Sequence, residues 1–201
     1  MLSRRFVLLG LSAIIATPSA FAQSSTVAGT KRPAAKHVRN LPRPFTPDPV
    51  YMPQTVAFTG YKPGTIVIDP KEKFLYLVLT PITARRYGVA VGREGLDFHG
   101  SATIHSKTEW PRWIPTADMV KNEPEKYARY KNGMDGGPTN PLGARAMYLW
   151  QGNKDTYIRI HGTNDPASIG HAASHGCFRM INEGVIDLYD RVKIGTPVVV
   201  L

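Results

Sequence analysis

Thr65-Ile66-Val67-Ile68-Asp69, Pro70-Lys71-Glu72 and Lys73-Phe74-Leu75-Tyr76-Leu77-Val78-Leu79 follow one another without a gap. Two β-branched and aromatic runs around a short polar break that contains proline read as a β-hairpin. Runs of the same kind recur at Arg86–Val91, Ser101–His105, Arg145–Trp150, Tyr157–His161 and Pro197–Leu201. Turn signals separate them, including Gly92-Arg93-Glu94-Gly95 and Gln151-Gly152-Asn153-Lys154. Helical patterning is confined to two places. Thr116–Tyr130 predicts one or two turns interrupted near Pro124, and Asn182 reads as the N-cap of a helix to about Lys193, stopped by Gly195. Val185, Leu188, Tyr189 and Val192 fall at helical spacing there, so this helix should lie against the sheet. Many short strands with few helices predict a mostly β domain, a sandwich or barrel, over residues 64–201.

Upstream of the hairpin the pattern dissolves. Residues 23–63 hold Pro33, Pro42, Pro44, Pro47, Pro49 and Pro53 together with Lys31, Arg32, Lys36, Arg39 and Arg43. Such a stretch has little apolar surface to offset its ordering entropy and is expected to be an extended cationic linker. Residues 1–22 have the layout of an export signal: Arg4 and Arg5, an apolar run from Phe6 to Ala16, and the small-x-small pattern Ala20-Phe21-Ala22. Ser3-Arg4-Arg5 resembles a twin-arginine motif, and general secretory export is equally open. The expected location is therefore the bacterial periplasm or cell envelope. Lys and Arg number 25 against 15 Asp and Glu, a formal charge of +10 that asks for an anionic partner. Nucleic acid is disfavoured, because no recognition motif accompanies the charge.

The 201-residue chain has one Cys, which excludes a disulfide framework and makes that Cys either an inert buried residue or a reactive thiol. Cys177 lies in a segment, His161 to Met180, that also holds three of the six His. His175-Gly176 precede it and Arg179 follows, cations expected to lower a thiol pKa. If residues 175–180 are extended, His175, Cys177 and Arg179 share one face while Phe178 and Met180 pack on the other. Gly176 admits close approach of a substrate carbonyl, and the amides around Gly176 and Cys177 would form an oxyanion hole. A thiol in acyl transfer needs a proton acceptor, and His161, at the end of a predicted strand, is best placed. The Gly162 carbonyl could orient its ring. A zinc site from His161, His171, His175 and Cys177 is the competing reading, without a CxxC or HExxH pattern to support it.

His161-Gly162-Thr163-Asn164, Ser168-Ile169-Gly170 and Ser174-His175-Gly176-Cys177-Phe178-Arg179-Met180 closely resemble the L,D-transpeptidase family with the YkuD catalytic domain. Asn140-Pro141-Leu142-Gly143, Trp110-Pro111-Arg112-Trp113-Ile114-Pro115, the Ile66–Leu79 hairpin, Asp187-Leu188-Tyr189 and Gly195-Thr196-Pro197-Val198 extend the likeness over about residues 64–201. Departures are Phe98-His99-Gly100-Ser101-Ala102-Thr103 in the substrate cleft, Gly184 where an acidic residue is common, and Phe178 in place of Ile.

The resemblance implies a mostly β fold and cysteine acyl transfer on diaminopimelate-containing peptidoglycan stem peptides, without a cofactor or metal. Carried onto this chain, it makes Cys177 the nucleophile and His161 the general acid and base. Ser174, His175, Gly176 and Arg179 shape the acyl pocket. Contact with the cell wall would be peripheral, and a lipoprotein amine is one acceptor the chemistry admits. Two alternatives stand beside it: an L,D-carboxypeptidase or hydrolase with water as acceptor, and a non-catalytic peptidoglycan-binding module.

Overall fold

The computed structural model describes residue 45 and residues 47–173 and 177–201. The expected signal segment, most of the basic linker and the Ser174-His175-Gly176 triplet lie outside the described residues. In chain order the elements are β1 (Gln54–Ala57), β2 (Ile66–Asp69), β3 (Phe74–Thr80), β4 (Thr83–Gly88), β5 (Ala90–Gly92), α1 (Arg93–Asp97), β6 (Gly100–Glu109), α2 (Ala117–Asn122) and α3 (Pro124–Tyr127). They continue with β7 (Arg145–Gln151), β8 (Lys154–His161), β9 (Ala172–Ala173), β10 (Phe178–Arg179), α4 (Asn182–Arg191) and β11 (Pro197–Val200). Among the described residues the strands form one sheet in the order β1-β4-β3-β2-β11-β6-β7-β8-β10-β5-β9.

The opening hairpin forms as its sequence predicts. Ile66 faces Leu77 and Asp69 faces Phe74, and the Asp69 carboxylate accepts the Lys71 and Glu72 N–H groups, both at 3.0 Å, to close the turn. A sheet this wide curls rather than staying open. Ile66, Ile68, Leu75 and Leu77 from one side and Met147, Leu149, Ile160 and Phe178 from the other join a single buried cluster. The mostly β expectation holds.

The linker expected over residues 23–63 is corrected at its C-terminal end. Pro49–Tyr51 forms a 3₁₀ turn capped by Asp48, and Gln54–Ala57 pairs antiparallel with β4, Gln54 facing Arg86. Pro49 starts the turn and Pro53 precedes the strand, both places where a missing N–H costs nothing. Tyr51 lies on Ala90, Ile169 and Ile181, and a Cβ at Gly88 or Gly170 would collide with it. A four-residue strand with one Val is too short to announce itself by alternation.

α4 lies against the core through Val185 and Leu188, with Val192 buried just beyond it. It ends at Arg191, two residues short of the expected Lys193, because Lys107 Nζ takes the carbonyls of Tyr189 and Val192 at 2.6 and 2.8 Å. Gly195, at φ +87°, then turns the chain into β11. Asp187 fastens the middle of the helix to β4, accepting from Arg85 Nε at 2.6 Å, Tyr87 Oη at 2.8 Å and Arg191 Nε at 2.8 Å. Burial opposes ionisation there, yet these donors hold the carboxyl below its usual range. Asn182 is the first helical residue rather than the cap, Ile181 taking that place. Its side chain serves another purpose, described below.

Residues 110–144 bridge β6 and β7. Thr116 Oγ1 caps α2 through the Met119 N–H at 3.2 Å, and Pro124 restarts the helix as α3, the interruption its sequence predicts. Trp113, Met119 and Tyr127 make a small core of their own. Fully buried Asn140 pins the return, donating to the carbonyls of Met134 and Asp135 at 3.1 and 3.0 Å and accepting the Leu142 N–H at 2.8 Å.

Candidate active site

His161 is the last residue of β8. It is 3% exposed, and its Nδ1 lies 2.7 Å from the Gly162 carbonyl oxygen. A carbonyl only accepts, so Nδ1 carries the proton and Nε2 keeps its lone pair. Burial drives the imidazole down to about 4, against the Gly162 bond that favours its charged form, and the Arg179 charge lowers it further. The ring is neutral at pH 7. The turn beneath it is clamped by Asn182, whose Oδ1 accepts the Ala144 N–H at 2.9 Å and leaves no room for a Cβ at Gly143 or Gly162. Thr163, also buried, closes the next turn by accepting the Asp165 N–H at 3.0 Å. Asn164 Nδ2 ties the same loop to the Thr139 carbonyl at 2.7 Å.

β10 runs parallel to β8, with Phe178 beside Ile160 and Arg179 beside His161. This register sets Cys177, the residue just before β10, level with Arg159 and two residues along from His161; alternation puts the two side chains on one face, and Cys177 also joins the buried cluster of Ile160 and Phe178. Phe178 and Met180 are buried as expected. Cys177 is buried too, 7% exposed, and its Sγ is 3.5 Å from the Tyr157 carbonyl, so the resting group is a thiol donating to that oxygen. The expectation that neighbouring cations lower its pKa is corrected. Burial pushes the thiol up to about 11, with help from Glu94, and outweighs the Arg159 backbone bond and the charges of Arg159 and Arg179. The glycine segment read as a turn packs on the Cys177 backbone. Gly92 N–H donates to the Cys177 carbonyl at 3.0 Å, α1 follows, and buried Gly95 packs on that carbonyl so closely that no side chain would fit.

Two cationic groups flank the pair. Arg159 holds the Asp155 carboxylate with both terminal nitrogens, each at 2.7 Å, and lies 4.6 Å from the Tyr148 ring centre. Arg179 is half-buried, its guanidinium within electrostatic reach of Asp165, Tyr127, Glu94 and Cys177. Tyr157 has φ +59° and is 79% exposed. An aromatic residue held in that backbone region beside a buried thiol marks a built feature rather than a loop accident. It sits where the β7–β8 register shifts between Tyr148 and Trp150, a bulge that turns its carbonyl toward Sγ. His171, read as a loop residue, is exposed. His175, Ser174 and Gly176, and with them the expected oxyanion hole, lie outside the described residues.

Residues 63–200 match the family model YkuD, the L,D-transpeptidase catalytic domain. The chain belongs to that family. The putative L,D-transpeptidase YqjB of Bacillus subtilis is 31% identical over 137 residues, covering 67% of this chain and 69% of that protein. A solved structure from Brucella melitensis is 71% identical with a TM-score of 0.54, covering 77% of this chain and 96% of that one. It is described as a probable carnitine operon oxidoreductase; that activity is stated of that protein and has no counterpart in the family match. L,D-transpeptidase 3 of Mycobacterium tuberculosis shares the fold at 18% identity and a TM-score of 0.50, covering 68% of this chain and 60% of that one. The chain spans about half the length of most of the curated relatives it matches. No helix among the described residues is long and apolar enough to cross a membrane.

Within this L,D-transpeptidase domain, β8 and β10 set Arg179 beside His161, 18 positions apart in sequence, with Cys177 just before β10. Four contributors escaped the sequence reading. Asn182 looked like a helix cap, Arg159 and Tyr157 like ordinary strand residues, and Gly95 like a turn glycine. A signal existed for Arg159, which alternates with His161 on one strand face. Asn182 had none, since a cap and a clamp draw on the same residue type.

Proposed function

We propose that this chain is a cysteine L,D-transpeptidase that uses diaminopimelate-containing peptidoglycan stem peptides as acyl donors. One observation carries the reading: a neutral imidazole, anchored through Nδ1 and with Nε2 free to accept, on the same sheet face as the chain's single thiol. Cys177 is nucleophile and His161 acid and base. As Sγ bonds to the carbonyl carbon at the L-centre of diaminopimelate, its proton passes to His161 Nε2. Collapse of the tetrahedral species breaks the amide C–N bond, and imidazolium returns the proton to the departing D-alanine amine. An acceptor amine then loses a proton to His161, attacks the thioester and releases Cys177, which regains that proton. The thiol's raised pKa supports this order, in which deprotonation accompanies attack and needs the base at hand.

Arg179 pairs with a stem-peptide carboxylate, and Ser174, His175 and Gly176 complete the acyl pocket with an oxyanion hole in their amides. The domain works in the cell envelope after export by residues 1–22, touching the wall peripherally, its acceptor a second stem peptide or a lipoprotein amine. Purified chain incubated with disaccharide tetrapeptides should release D-alanine and form 3→3 linked dimers, both detected by mass spectrometry. Cys177→Ala should do neither. D-alanine release without dimers would identify water as acceptor and make the enzyme a carboxypeptidase. Unchanged release by Cys177→Ala would sink the assignment.

A further inference from the structure

The sheet face that holds His161 and Cys177 does not end with them. Along β7 the same face carries Tyr148, directly opposite Arg159, and then Trp150, opposite Asp155. On the far side Trp150 faces Thr103 of β6. Where β6 bulges, His105 is exposed and lies flat on the indole, ring centres 3.7 Å apart and planes within 9°. Asp155 stands beside this stack, its carboxylate locked by Arg159 and close enough to His105 for their charges to interact.

The outer face of this stack, with a fixed acceptor and a hydroxyl at its rim, is an arrangement that receives a sugar ring. The apolar C–H face covers the rings while the hydroxyls reach the polar rim. The spacing points to which sugar. Two strand steps of about 4.8 Å and two residues of about 3.3 Å separate Trp150 from Cys177, roughly 12 Å in all. Three residues of extended peptide span about 10 to 11 Å. A stem peptide whose third residue presents its carbonyl to Cys177, when it lies across β8 and β7, brings its sugar-bearing end to Trp150, with His105 on the next strand beyond.

We infer that the His105–Trp150 stack, with Asp155 and Thr103, is a saccharide subsite that binds the glycan end of the acyl donor. It rests on the stem-peptide reading above. The site selects donors still attached to their disaccharide and orients the peptide across β7 and β8 toward the thiol. Recognition by the stack adds affinity without taking part in bond exchange, so it acts on binding and not on the chemical step.

The test separates binding from chemistry. Calorimetry on the Cys177→Ala chain compares a disaccharide-linked tetrapeptide with the free tetrapeptide, and repeats both after adding His105→Ala or Trp150→Ala. The expected result is about tenfold tighter binding of the sugar-linked ligand, collapsing to near equality in both variants while affinity for the free peptide stays unchanged. His105 is exposed, so its variant stays informative if loss of Trp150 impairs folding. Equal binding of the two ligands before substitution, or a preference that survives His105→Ala, overturns the subsite. Failure of the transpeptidase reading would show separately, as absence of D-alanine release by the native chain.

Discussion

Two outer faces of this sheet carry rows of aromatic rings with an arginine laid on them, and they do different things. On β3, β4 and the segments on either side of β1, Phe58 stacks on Tyr76 at 4.4 Å, Tyr51 tilts on Phe74 at 5.5 Å, and Arg86 lies 4.2 Å above Phe74. Arg86 also donates to the Val50 carbonyl at 3.2 Å, so the rings and the cation consume one another and bind the N-terminal approach to the domain. On β6, β7 and β8 the rings stand in register with a buried thiol and a neutral imidazole, and one of them, Tyr157, is left 79% exposed. Aromatic and cationic residues therefore do not mark a site by themselves. What distinguishes the second face is its alignment with a buried thiol and a neutral imidazole, the two groups on which the proposed acyl transfer rests.

The sharpest way to break this contrast is to alter the proton acceptor. His161→Ala should lower D-alanine release about 10²- to 10⁴-fold, read from initial rates, whereas alanine at Phe58 should leave the rate within about threefold. A next, smaller effect appears in acid. The folded imidazole titrates near 4, below the ordinary value of 6.5, so between these limits the unfolded chain binds the extra proton. The stability from neutral His161 is then fully present above about pH 6.5 and is lost as pH falls toward 4, about 3 kcal/mol in all. Urea denaturation between pH 7 and 4 should show this loss in the native chain and a flatter profile in His161→Gln. Equal slopes would mean that the ring is not buried neutral. On the other face, Tyr51→Ala empties the notch formed by Gly88 and Gly170 and should cost about 2 kcal/mol of unfolding free energy. Its kcat should stay near the native value. A large fall in kcat without loss of stability would show that the two faces are less separate than their geometry indicates.

How much of this was legible in the sequence depended on how local the cause is. The Thr65–Leu79 hairpin is written in alternation and turn chemistry, and Val185, Leu188 and Val192 disclose their helix face through spacing alone. His161 and Cys177 were legible as candidates because both sit in one dense, chemically unusual segment. The thiol's environment was not. Arg179 is two residues from Cys177 in sequence, but burial overrides it, and the groups around Cys177 include Gly95 of α1, packed on its carbonyl from over 80 positions away. Asn182 failed for a related reason: an asparagine before a helix signals a cap, and only the arrival of Gly143, Ala144 and Gly162 from distant strands makes it a clamp. Gln54–Ala57 was lost among prolines, since four residues paired to a distant strand carry no periodicity long enough to see.

That short strand has a bearing on solubility. β4 would otherwise present a continuous row of unpaired N–H and C=O groups at the sheet margin, the template on which a second copy of the chain could add a strand. Gln54–Ala57 pairs with that row and becomes the margin itself, four residues long against six in β4, and Tyr51 fastens its approach; among the described residues the opposite margin is Ala172–Ala173. The segment that looked like a tether thus leaves a shorter edge open to a second copy than β4 would present alone.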